Sequence, residues 1–339
     1  TGSSMEVIDY GCRVVRICVP DRNGRIDDVV VGYGDITSFE TGSERFFGAL
    51  IGRYGNRIGG ASFPLDGDTV YLTPNETLGG RPGHLHGGTK GFDRVMWRGE
   101  PLLEADRAGV RFSRLSPDGG EGYPGNLACT VTYWFTKDNV WRAEYEATTD
   151  RPTIVNLSNH TYFNLDGGGN VLGQKLRIYA SNYLEGNNET CPTGRILPVA
   201  GTPMDFRAGK PLGRDLDTGF YQTTMAGGGF DHCYVLDRPR GASQSLCAWA
   251  SSDKTGISMK MYTTQPGIQL YTGNFLQNCP SPGKGGVPME KYGGFALETQ
   301  HFPCSPSHPE FPSTVLRAGK VFRVNTTLRF FTGRQCGRL

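Results

Sequence analysis

Apolar and polar residues alternate along much of this chain with a period of two. In "VWRAEYEATT", Trp141, Ala143, Tyr145 and Ala147 alternate with Arg142, Glu144 and Glu146, which predicts a strand with one packed face and one wet face. In "VTYWFTKDNVW", Lys137-Asp138-Asn139 separates this run from the one before it and predicts a hairpin. "SDKTGISMKMYTT" repeats the device, with a turn ending at Gly256 before Ile257, Met259 and Met261. "GKVFRVNTTLRFF" predicts a closing pair of strands. No segment holds a helical period for more than a turn or two. Glycine-rich spots at residues 167–169, 227–229 and 281–286 sit between strand signals and read as loops. No long polar or proline-rich break divides the chain, so one all-β domain over residues 5–339 is predicted.

Composition supports the same class. The chain has 339 residues, and its 49 glycines and 21 prolines favour short strands joined by turns over long helices. The formal net charge of +2 gives no reason to expect nucleic acid or an anionic membrane as a partner. The longest apolar runs are far too short to span a bilayer. Thr1-Gly2-Ser3-Ser4 reads as a cloning scar ahead of a native Met5. The nine cysteines are scattered, odd in number and free of any Cys-x-x-Cys. They read as small buried hydrophobes in a reducing compartment.

Six stretches carry candidate chemistry. In "VVVGYGDITSFETG", Gly32-Tyr33-Gly34 follows an apolar run as in a dinucleotide fingerprint. Thr37 replaces the third glycine and no helical pattern follows, so a pyrophosphate would have no helix N-terminus to rest on. "HLHGG" puts His84 and His86 on one face if the strand continues through both. The residues up to Asp93 supply no third metal ligand, so hydrogen bonding in a polar cleft is the better reading. In "GNRIGG", Asn56 and Arg57 sit beside two glycines, where Arg57 is either a solvated charge or a forked donor to a polar ligand. Asp231 opens the apolar alternation of "FDHCYVL" and is either a turn residue or a functional acid. Glu298 lies within the apolar run of "GFALETQ", where a carboxylate is costly unless paired. It is either a salt-bridged structural residue or a general base in a semi-dry cleft. In "NLSNHTYFNL", Asn, Ser, His and Thr interleave with aromatics and leucines, so His160 must meet some partner.

These stretches resemble the galactose mutarotase (aldose 1-epimerase) family. The similarity also covers "GALIGRYGNRIGGASFPLDG", "HLHGGTKGFDRVMW", "SPDGGEGYPG", "PTGRILPVAGTPMDFR", "TTQPGIQLYTGNF" and "FPSTVLRAG", in order, from about residue 30 to residue 320. The resemblance implies a large antiparallel β-sandwich with its site in a cleft on one sheet. It implies Glu298 as catalytic base and His160 as catalytic acid, with Arg57, His86 and Asp231 orienting the sugar. Asn56 and Gln265 are implied as further sugar contacts, and His84 is left as structural. The loop at residues 301–308 and the segment from residue 170 to about 190 depart from the family pattern, which bears on sugar preference.

Exchange of the α and β anomers requires a proton to leave the C1 hydroxyl and another to reach the ring oxygen, so a carboxylate and an imidazolium suffice. No metal or cofactor is expected. The implied substrate is a free aldohexose such as galactose or glucose, and the expected assembly is a monomer or weak homodimer. Two rival readings remain: a non-catalytic carbohydrate-binding protein on the same fold, and a glycosidase using Asp231 and Glu298 as paired carboxylates. A cytoplasmic location is expected, with a peroxisome-like organelle as a lesser option because Gly337-Arg338-Leu339 faintly matches a peroxisomal address.

Overall fold

The expected alternation builds two large antiparallel sheets. The computed structural model describes residues 2–187, 191–239 and 241–333; Cys336 and the Gly337-Arg338-Leu339 tripeptide lie outside the described residues. The nine-stranded sheet runs, in spatial order, through Arg98–Leu103, Arg107–Ser116, Leu127–Thr136, Val140–Thr149, Val321–Thr332, Ile257–Thr263, Ser245–Ser251, Lys175–Ile178 and Lys210–Pro211. The seven-stranded sheet runs through Pro192–Pro198, Asn182–Gly186, Asp231–Val235, Gly267–Tyr271, Phe295–Gln300, Tyr162–Phe163 and Val30–Val31.

Both predicted hairpins form. Leu127–Thr136 and Val140–Thr149 pair across Lys137-Asp138-Asn139, with Asn139 at a φ of 58°. Ser245–Ser251 and Ile257–Thr263 pair across a turn that ends at Gly256, whose φ of 76° suits glycine. Trp141, Ala143, Tyr145 and Ala147 are all buried, and so are Met259 and Met261. They join one apolar core that draws on residues from Cys12 to Phe330. Each large side chain of this kind contributes about 1.5–3 kcal/mol relative to leaving it in water.

Two expectations change. The closing segment is one long strand, Val321–Thr332, instead of a pair. It lies between Val140–Thr149 and Ile257–Thr263, so both its edges are already taken. A short helix, Ile36–Thr41, does follow Gly34, capped by Asp35, whose side chain accepts from the Ser38 N–H. It is one and a half turns long, and its N-terminus faces a carboxylate, which argues against a pyrophosphate there. Ser4 opens the strand Ser4–Ile8 and pairs with Cys18.

Candidate active site

An interior strand of the seven-stranded sheet, Phe295–Gln300, is buried at all six positions because both its faces are covered. Phe295 and Leu297 enter the main core. By alternation Ala296, Glu298 and Gln300 face the other way. The next strand pairs Gln269 with Glu298 and Tyr271 with Ala296. The strand beyond it pairs Asp231 with Tyr271 and Cys233 with Gln269. Glu298, Gln269, Tyr271 and Asp231 therefore share one face across three strands. Gln269 donates to Asp231 Oδ1 at 2.6 Å. Asp231 is thus the first residue of a strand, held by a side chain, and not a turn residue.

His160 reaches this face from the strand's other side. Ser158–Asn159 pairs with Leu50–Ile51, and Tyr162–Phe163 pairs with Phe295–Gln300. Between these short strands, the His160 N–H donates to the Ala49 carbonyl at 2.9 Å, and the His160 carbonyl accepts from the Gly48 N–H at 3.1 Å. The neighbouring polar side chains are braces. Asn156 donates to the Gly55 carbonyl at 3.0 Å, Ser158 to the Thr299 carbonyl at 3.0 Å and Asn159 to the Gly48 carbonyl at 2.9 Å. Asn164 donates to the Gly169 and Gly293 carbonyls. His160 differs: its Nδ1 is buried without a hydrogen-bond partner, and its Nε2 lies 3.5 Å from Glu298 Oε1. The ring stacks on Tyr162 at 4.8 Å and on Phe46 at 5.7 Å, and it meets Tyr271 edge-on at 6.4 Å. Phe46 is carried by a loop that Arg45 anchors on Asp93 through two bonds of 2.8 Å.

His86 completes the cluster. It follows the strand Arg81–Leu85 with a φ of 51°. A Cβ on the next residue, Gly87, would sit 1.7 Å from the Gly52 carbonyl oxygen, so only glycine permits this turn. The turn separates His86 from His84. His84 Nε2 meets the Tyr123 hydroxyl at 2.6 Å and its Nδ1 meets the Thr73 carbonyl at 2.7 Å. The two histidines therefore do not act together, and His84 is structural. His86 Nδ1 accepts from the Asn56 N–H at 3.0 Å, while the Asn56 side chain accepts from the Arg57 N–H. Asn56 thus places its two neighbours in the cleft.

Arg57 lies between two carboxylates, 3.5 Å from Asp231 and 3.3 Å from Glu76. Gln265 is buried but committed elsewhere: its Oε1 meets His301 at 2.8 Å and its Nε2 donates to the Leu157 carbonyl. The sequence reading missed Phe46, Tyr162, Tyr271, Gln269 and Glu76. Gln269 and Tyr271 had a signal, because "PGIQLY" alternates in step with "FALETQ"; Phe46 and Glu76 had none.

Burial governs the electrostatics. It lifts the Glu298 carboxyl well above the usual range, and the nearby Asp231 lifts it further. It lowers His160 to about 4, although Asp231 favours the imidazolium. Desolvation therefore outweighs the pull of the carboxylate. Burial also drives His86 well below its usual value, with the neighbouring His160 adding to the effect. For Arg57, burial opposes the charge, but Asp231 and Glu76 outweigh it and hold the guanidinium above its usual value.

His86, His160 and Glu298 bring one donor atom each within 4.8 Å of one another. The set does not suit a metal. A neutral His86 that accepts at Nδ1 carries its proton on Nε2, so it offers an N–H and no lone pair to the cleft. What the arrangement does offer is a carboxyl and an imidazole in contact, ringed by aromatics, beside fixed donors and acceptors for hydroxyl groups.

Known proteins share this framework. A family model described as Aldose 1-epimerase matches residues 1–329. Galactose mutarotase of Homo sapiens is 39% identical over 329 residues, which is 96% of this chain and 90% of that protein. Aldose 1-epimerase of Escherichia coli K12 is 35% identical over 334 residues, 97% of this chain and 92% of that one. Among solved structures, an aldose epimerase homologue from C. elegans superposes with a TM-score of 0.87 at 30% identity, covering 98% of this chain and 96% of that one. A galactose 1-epimerase from Lactobacillus acidophilus superposes with a TM-score of 0.85 at 26% identity, covering 98% and 92%. With the fold and nearly the whole length of the sequence in common, the chain belongs to the aldose 1-epimerase family.

Proposed function

We propose that this protein interconverts the α and β anomers of a free aldohexose, with Glu298 and His160 moving the protons. The single observation that carries this reading is the 3.5 Å contact between His160 Nε2 and Glu298 Oε1 in a buried, aromatic-walled cleft. In ring opening, Glu298 takes the proton of the C1 hydroxyl while His160 delivers one to the ring oxygen. The C1–O5 bond breaks and C1=O1 forms. After rotation about C1–C2 the two groups reverse roles and the ring recloses with C1 inverted. Arg57, Asp231 and the His86 Nε2–H hold the remaining hydroxyls meanwhile. A carboxyl–imidazole pair favours this over the glycosidase reading, since Glu298 is in contact with His160, while Asp231 is occupied by Gln269 and Arg57.

At rest, burial favours the uncharged pair, with the shared proton on Glu298 and His160 neutral. This is the protonation pattern of the open-chain intermediate. Ring opening therefore starts when the proton crosses from Glu298 to His160, as bound hydroxyls replace the water that both groups have lost. Free galactose is the substrate this reading favours, supported by the name of the human relative, with glucose as a second aldohexose of the same class. A cytoplasmic location fits cysteines that form no disulfide among the described residues, and a monomer or weak homodimer is the assembly we propose.

The pH profile tests the proton assignment. The pair holds one proton from about 4, where His160 would charge, up to the raised value of Glu298. As pH falls below about 4 the second proton blocks the base; as pH rises past Glu298 the last proton is lost and no acid remains. Polarimetry of freshly dissolved α-D-galactose should give a bell-shaped kcat/KM with its acid limb near 4. A limb at the ordinary histidine value of about 6.5 would contradict the assignment. Absence of any acceleration across the range would contradict the function itself.

A further inference from the structure

The sugar-binding arginine has a second acidic partner that the catalytic reading leaves unused. Glu76 begins the short strand Glu76–Leu78, which pairs with Arg81–Leu85, which in turn pairs with Arg57–Gly59. Gly83 stands in register between Glu76 and Gly59. With no side chain at Gly83, the Glu76 carboxylate reaches over the middle strand to Arg57, its Oε1 lying 3.3 Å from the arginine Nε. That Oε1 is buried and has no hydrogen-bond partner of full geometry; the same holds for Arg57 Nε. From the other side Asp231 meets Arg57 Nη1 at 3.5 Å. The three side chains keep only 15–18% of their surface exposed. The cluster is therefore mostly packed, with a small part of each side chain left open. Asp231 lies two strands from Glu298, roughly 9.5 Å across the sheet, so this cluster belongs to the end of the cleft away from the proton-moving pair.

We propose that Glu76 is a positioning residue for sugar recognition, clamping Arg57 against Asp231 so that the guanidinium presents its remaining N–H groups to the hydroxyls of the sugar remote from C1. The proposal rests on the epimerase reading. An arginine held by one carboxylate alone can swing on its long stem, and that freedom must be lost each time a sugar binds. Two carboxylates on opposite sides remove it beforehand. Glu76 contributes to the binding of the ground state and the transition state equally, so it acts on KM and not on kcat.

The test is steady-state polarimetry of Glu76→Gln and Glu76→Asp with D-galactose, alongside wild-type protein and a thermal melt of each. Glu76→Gln keeps the shape and removes the charge; KM should rise about tenfold while kcat stays within about twofold and the pH profile keeps its limbs. Glu76→Asp retains the charge and should recover part of the lost affinity. If Glu76→Gln melts early, the same split is read from Glu76→Asp, whose KM should then lie above that of wild type. An unchanged KM in a folded variant, or a fall in kcat equal to the fall in kcat/KM, overturns the clamp. Wild-type protein without activity would instead overturn the epimerase reading on which the clamp depends.

Discussion

Glu298→Gln is expected to lose about 10²–10⁴-fold in kcat while the fold survives. The amide preserves the size of the side chain and its place in Phe295–Gln300, which is paired on both sides by Gly267–Tyr271 and Tyr162–Phe163. The change removes a carboxyl whose charged form burial already disfavours. A neutral amide therefore resembles the resting state and should not destabilise the cleft. What it cannot do is exchange the proton with His160 or accept one from the C1 hydroxyl. The alkaline limb of the pH profile should vanish with it. A folded variant that loses under about threefold in kcat would remove Glu298 from the proton path.

His160→Gln is the second large effect, of the same order, about 10²–10⁴-fold in kcat. Here packing and chemistry must be told apart, because the ring is sandwiched by Tyr162 and Phe46 and its loss opens space between them. Sugar binding separates them. Arg57 and Asp231 do not depend on the His160 ring for their contacts, so galactose should still shift the melting temperature of the variant upward. A variant that turns over at a near-normal rate would assign the acid to another residue, and His86 would be tested next. That outcome is disfavoured by the His86 geometry. Its Nδ1 is occupied by the Asn56 N–H, which leaves Nε2–H as a fixed donor with no room to shuttle.

Much of this architecture was legible in the sequence because a period of two is a local property. The alternation of residues 140–149 and the turn at Gly256 specify their strands without reference to anything distant. The catalytic pair was legible for a different reason. A carboxylate in "FALETQ" and an imidazole in "NHTYFNL" are polar groups set among residues that must be buried, and each therefore needs a partner. The sequence could not say that they partner each other, since 138 positions separate them (298 − 160) and a loop geometry brings them together. The direction of the His160 shift was hidden for a related reason: how thoroughly Phe46, Tyr162 and Tyr271 exclude water is set by three separate segments. Gln265 was placed in the site by resemblance, whereas the structure ties it to His301. Glu76 was invisible because its importance depends on a missing side chain at Gly83 and on the register of two short strand pairings.

The central claim is that this chain catalyses the exchange of anomers through an acid–base pair, and polarimetry from both sides tests it most directly. Fresh solutions of α-D-galactose and of β-D-galactose are followed with wild-type protein, with Glu298→Gln protein at equal concentration, and without protein. The account predicts that wild-type protein drives both solutions to the same final rotation, at a rate proportional to its concentration, while the variant tracks the solution without protein. Equal relaxation rates in all three samples, with galactose shown to bind, would contradict it and leave a carbohydrate-binding protein in its place.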